Sequence, residues 1–257
     1  VKNKKMERID AGSETKNTPT FFGSVTTLWN RARQSLSHTI EGPEVGDLQN
    51  IWQALVQRHP ILSQVDFMQS AEVNRPTHVL PRKQGDRPIV KMPLSLKDSV
   101  RPGSILTFAE KYGYDPDAFE DERLLVTCIM FHEAGHALQF MDSLGTGDDV
   151  LAATSEHDLE RKKQLNQLPI PGYTPGKLHR MGPDKFDDLM HEQGLWGNLQ
   201  FYGITSFEHL VQVQSAHYRE LPMEKDADEF AVQSLSYFGY LKPSRSTNSD
   251  GVGRIAA

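Results

Sequence analysis

Phe131-His132-Glu133-Ala134-Gly135-His136-Ala137, an H-E-x-x-H run, closes the apolar stretch Leu124-Leu125-Val126-Thr127-Cys128-Ile129-Met130. A helix this apolar on nearly every side is one that the core encloses. Two histidines four residues apart on it differ by about 40° around the axis and one turn along it, so both imidazoles reach one point. Buried polar groups need partners, and a metal ion satisfies both rings at once. Zinc takes neutral imidazole readily, and with three protein ligands and one open position it lowers the pKa of a water to about 7. Glu133, set between the histidines, is placed to take that water's proton. The spacing therefore predicts His132 and His136 as zinc ligands and Glu133 as a general base. A chance match in a chain with 10 histidines and 34 acidic residues is the competing explanation, but it does not account for the motif's place in an apolar helix.

The chain has 257 residues, 37% of them apolar, which suits one large domain with attached segments. A net charge of -6 gives no basic footprint for nucleic acid or an anionic membrane. The single cysteine, Cys128, cannot form an internal disulfide and fits a reducing compartment; one turn before His132, it reads as a small buried hydrophobe rather than a ligand. No apolar segment reaches the roughly 20 residues of a membrane span. The basic start Val1-Lys2-Asn3-Lys4-Lys5-Met6 is not followed by the apolar core of a secretory signal. The expected location is the cytoplasm, or another cell or compartment to which the protein is delivered.

Working outward, residues 1–22 read as disordered, 23–240 as one domain with an insertion at 146–200, and 241–257 as a disordered tail. Val25, Leu28, Trp29, Ala32 and Leu36 recur at helical spacing behind Ser24. A second helix is expected to open at Pro43, carry Val45, Leu48, Ile51, Trp52, Leu55 and Val56 on its apolar stripe, and stop at Pro60. Thr77-His78-Val79-Leu80 and Pro88-Ile89-Val90-Lys91-Met92 flank the turn-like Lys83-Gln84-Gly85-Asp86 and predict a β-hairpin. A short helix then ends near Tyr112-Gly113. The H-E-x-x-H helix is expected to start at Asp115-Pro116-Asp117, capped by Asp117, and to end at Leu144-Gly145. The insertion is polar and proline-rich, with short helices near 154–165 and 184–192, and is expected to cover the cleft. Its histidines, His157, His179 and His191, are expected to be solvated. The fold class that follows is α+β, mainly α-helical, with a small sheet or hairpin beside the active-site helix.

Ser206 is the expected cap of a helix carrying Phe207, Leu210, Val211 and Gln214 toward His217-Tyr218, and Pro222 opens a last helix running to about Phe238. Glu224 and Asp228 stand one turn apart on one face of that helix. A carboxylate there can complete the zinc site, and one four residues on can hold the far nitrogen of a ligating imidazole.

At this point the chain resembles the gluzincins, zinc peptidases with H-E-x-x-H on one helix and a ligand glutamate on a later one. Glu224-x-Asp226-Ala227-Asp228-x-x-Ala231 is similar to the E-x-E-A-D-x-x-A segment of the CAAX-prenyl endopeptidase group and to the glutamate helix of ImmA/IrrE-type zincins. The resemblance covers these two helices only. It implies a zincin-like domain with His132, His136 and Glu224 as zinc ligands, Glu133 as base and Asp228 behind a ligand. It also implies hydrolysis of a protein or peptide substrate, with Tyr218 or His217 stabilising the oxyanion. The gap between the motifs is much longer than in thermolysin-like enzymes, and the membrane helices of the CAAX-prenyl group are absent, so no particular substrate is implied. Two other third ligands stay open: Asp142, six residues past His136, and His217. Gln139 stands where a metzincin has its turn-making glycine, which argues that the helix continues and carries Asp142 away. A zincin-fold sensor that binds metal without turnover is the alternative to an enzyme.

Overall fold

The computed structural model describes residues 43–44, 46–94, 102–145, 149–194, 199, 203–204 and 206–241. Helices dominate, with one small three-stranded sheet, as the sequence predicts. The expected helix after Ser24 and the expected disordered ends lie outside the described residues. Helix α1 spans Leu48–Arg58 and buries Leu48, Ile51, Trp52 and Leu55. It starts later than Pro43 because Asp47 caps it, its side chain accepting from the Asn50 amide at 3.2 Å. A 3-10 turn at Pro60–Gln64 follows.

Strands β1 (Asp66–Ser70), β2 (Thr77–Val79) and β3 (Ile89–Pro93) form the sheet in the order β1-β3-β2. β2 and β3 are antiparallel, the expected hairpin, while β1 lies parallel to β3 on its other side. Sequence reading missed β1 because no residue of Asp66-Phe67-Met68-Gln69-Ser70 is fully buried, so the strand has no apolar alternation to betray it. Val90 and Met92 of the central strand point into the core.

Helix α2 (Pro102–Tyr112) leads through a 3-10 turn at Pro116–Glu120 to α3 (Glu122–Leu144), the helix that carries the motif. The expected cap is corrected here. Asp115 caps the turn, its side chain accepting from the Asp117 amide at 3.1 Å, and Asp121 caps α3, accepting from the Arg123 amide at 2.9 Å. The buried residues of α3 lie on every side of it, from Leu124 through Met130 and Phe131 to Phe140, so it is the central core element. Gly145, at φ 56°, ends it.

Helices α4 (Val150–Leu165), α5 (Pro175–Gln193, broken at Gly182), α6 (Phe207–Glu220) and α7 (Pro222–Tyr237) complete the domain. The segment read as a polar insertion holds two long helices. Leu178, Phe186 and Met190 join Ile170, Leu199, Leu210 and Val211 in an apolar cluster that ties α5 to α6. Their spacing of four and eight residues is a narrow stripe, easily lost among charged neighbours. His157 is also corrected: it is 1% exposed, packed against Phe140 with ring centroids 6.0 Å apart, whereas His191 is exposed and His179 half-buried. No described helix is long and apolar enough to cross a membrane.

Among the described residues, the most extensive helix–helix contact is between α3 and α7. A Cβ built on Gly135 would lie 2.8 Å from the Ala227 Cα and 3.2 Å from its carbonyl oxygen. Small residues at both positions let the two backbones meet, which fixes the distance between the H-E-x-x-H run and Glu224. Gly135→Ala is therefore expected to destabilise the protein although alanine favours a helix by about 1 kcal/mol. The obstacle is backbone, and overpacking costs about 1–3 kcal/mol, so a net loss of about 1 kcal/mol is expected. Thermal unfolding of the metal-free protein checks this, with a Tm lower by roughly 2–4 °C; an unchanged or higher Tm would show that the helices separate freely.

Candidate metal centre

His132, His136 and Glu224 offer ligand atoms that all lie within 4.8 Å of one another, a group that can hold a metal ion. The four-residue spacing brings the two Nε2 atoms to 3.2 Å of each other. Glu224 reaches them from the first turn of α7, its Oε2 lying 3.4 Å from His132 Nε2 and 3.5 Å from His136 Nε2. Pro222 at the start of that helix and the Gly135–Ala227 contact set this approach. Glu224 and His136 are buried, at 5% and 4% exposure, and His132 is partly so.

Hydrogen bonds behind the rings decide which nitrogens face inward. The His132 Nδ1 donates to Asp228 Oδ1 at 2.8 Å, so Asp228, one turn beyond Glu224, holds a ring and not the ion position. Arg219 also donates to that oxygen and balances its charge. The His136 Nδ1 donates to Gln139 Oε1 at 3.0 Å. The orientation of that amide is set independently, because Gln139 Nε2 donates to the Met223 carbonyl at 2.7 Å. With each Nδ1 committed outward, both Nε2 atoms face a carboxylate oxygen, where each carries either a proton or a lone pair free for an ion. Three lone pairs this close repel unless a cation lies between them.

The surrounding charge agrees. Burial opposes a charge on His132, yet the hydrogen bond to Asp228 and the nearby Glu224 carboxylate outweigh it and carry the ring up to about 10. Burial would raise Glu224, but the His136 and His132 rings hold it well below the usual carboxylate range. The same field that draws in a proton draws in a metal ion, and the two compete for the lone pairs.

Glu133, between the two histidines, is partly buried, which would raise its carboxyl, but the imidazole of His78 on β2 donates to it, Nδ1 to Oε2 at 3.0 Å, and holds it down to about 2. Burial, and next the nearby Glu224 carboxylate, raise Tyr218 well above its usual range, while Arg161 of α4 opposes them. The structure therefore brings Tyr218 beside Glu224. His217, one residue earlier and so turned about 100° away, is exposed and lines a surface depression with Lys111 and Glu220. Asp142 stays outside the ligand group because α3 continues through Gln139 to Leu144. Cys128 is buried, and burial pushes its thiol up, in keeping with a packing role.

Sequence reading brought out neither His78, Gln139, Arg219 nor Arg161. Gln139 was legible in principle, three residues past His136 on the same helix face. His78 carries no local signal, since only the fold sets β2 beside α3. Comparison with family models, with curated proteins and with solved structures gives no match.

Proposed function

We propose that the protein is a zinc-dependent peptidase whose zinc is held by His132, His136 and Glu224. The observation that carries this reading is the size of the ligand triangle. A tetrahedral ion with bonds of about 2.0–2.1 Å to nitrogen and oxygen has ligand atoms about 3.3–3.4 Å apart. The three separations here are 3.2, 3.4 and 3.5 Å. Zinc bound there would polarise a scissile carbonyl and acidify a water.

The chain's own residues supply the rest. Glu133 takes a proton from the attacking water and passes it to the leaving amine. Tyr218, beside Glu224, donates to the oxyanion. Strand β2 pairs only with β3 among the described residues and carries His78 onto Glu133, so its other edge can take an extended peptide by strand addition. A sensor that merely binds metal needs the triad and its supporting hydrogen bonds, but it has no use for a carboxylate at Glu133 held by its own partner, His78.

The test is cleavage of a broad peptide library by the purified protein, with its metal content measured alongside. Zinc in the preparation and cleavage that stops with a chelator and returns with zinc are expected. Bound zinc with no cleavage of any peptide would favour the sensor. Failure to bind metal under zinc-replete conditions would remove both readings.

A further inference from the structure

We propose that His78 is a positioning residue for Glu133: its Nδ1–H holds one oxygen of the carboxylate and leaves the other to work on the attacking water. This rests on the peptidase reading above. The geometry is specific. Nδ1 lies 3.0 Å from Glu133 Oε2, and the two side chains are 11% and 14% exposed, so the bond is shielded from competing water. A carboxylate has only lone pairs to offer, so the hydrogen between the two atoms sits on Nδ1.

The ring itself is held. His136 lies against it, with centroids 4.7 Å apart, and His157 meets it nearly edge-on at 6.4 Å. His157 is 1% exposed and Phe140 closes on its other ring contact, so this backstop is fixed in the core. The backbone at His78 is fixed as well, since β2 pairs His78 with Val90 of the central strand.

The consequence is rotational. A glutamate has three side-chain torsions, and an unanchored one on a helix samples several staggered wells. Fixing Oε2 selects the carboxylate orientations in which Oε1 takes the proton. A hydrogen bond to the carboxylate also lowers its basicity, and that alone would slow proton abstraction. The proposal is that orientation outweighs this loss, so removing His78 lowers turnover even though it leaves Glu133 more basic.

The test compares His78→Ala with His78→Asn. The asparagine amide nitrogen is as many bonds from Cβ as the histidine Nδ1, so it can restore the donor without an imidazole. His78→Ala is expected to lower kcat roughly 10- to 100-fold, as loss of an outer partner does elsewhere, with KM and metal content unchanged. His78→Asn is expected to recover most of that loss. An alanine variant with wild-type kcat, an asparagine variant no better than alanine, a change confined to KM, or loss of metal in the alanine variant would each overturn the proposal. Imidazole nitrogen NMR on the metal-free wild type gives a readout independent of turnover: His78 is expected as the Nδ1–H tautomer, and finding the hydrogen on Nε2 would overturn it too. If the wild type cleaves nothing, the peptidase reading falls and the role with it, while the NMR signal still reports the bond. An active wild type with an unaffected His78→Ala sinks the role alone.

Discussion

Glu133→Gln is expected to reduce kcat by roughly 10²- to 10⁴-fold, the usual contribution of a general base, while bound metal stays at the wild-type level. Glutamine matches glutamate in shape, and its amide oxygen can still accept from His78 Nδ1, so the local packing around 133 is kept. It has no lone pair basic enough to take the proton of the attacking water. Glu133 is not among the atoms that form the ligand triangle, so the change leaves His132, His136 and Glu224 intact. Metal analysis and steady-state kinetics on the same preparation check both halves. Turnover retained within a few-fold of wild type would mean that another group moves the proton, and the peptidase mechanism proposed for this centre would have to be rebuilt around it.

The second large effect is expected at Glu224. Glu224→Ala removes one corner of the triangle and leaves two imidazoles four residues apart, a bidentate site open to water. Zinc affinity should fall by more than the roughly 10- to 100-fold that outer partners contribute. Asp228→Ala is expected to stay within that range, because it loosens the His132 ring without removing a ligand. It carries a separate cost: Asp228 is fully buried and pairs with Arg219, so its loss strands a cation of low exposure and should destabilise the fold by about 3 kcal/mol. Asp142→Ala is expected to leave zinc affinity unchanged, since Asp142 lies outside the ligand group. Competition with a chromophoric chelator, at a temperature where every variant is folded, measures the series. Equal affinities for Glu224→Ala and wild type would remove Glu224 from the site and reopen the question of the third ligand.

The two halves of this centre differ in how they could be read. His132, Glu133 and His136 are legible because their geometry is local: a helix alone fixes two imidazoles one turn apart, and the apolar run around them announces a buried helix. Glu224 and Asp228 are half-legible. Their four-residue spacing puts them on one face, but an acidic first turn is also an ordinary way to start a helix. What brings them to the histidines is the approach of α7 to α3, and its cause is the absence of a side chain at Gly135 opposite Ala227.

Other features depended wholly on the tertiary structure. β1 has no buried residue and exists because β3 offers it a second edge. His157 sits in a charged stretch and yet is buried, because α4 packs that face against Phe140. His217 and Tyr218 are adjacent in the chain, and only the placement of α6 decides that the tyrosine meets Glu224 while the histidine faces solvent. The sequence by itself determined a buried helix carrying two potential ligands and a carboxylate, together with the mainly helical class. The approach of Glu224, the orientation of the His132 ring and the partner of Glu133 were decided by contacts between residues 55 to 96 positions apart. No local periodicity encodes such contacts, because they form only when separate elements are packed into one core.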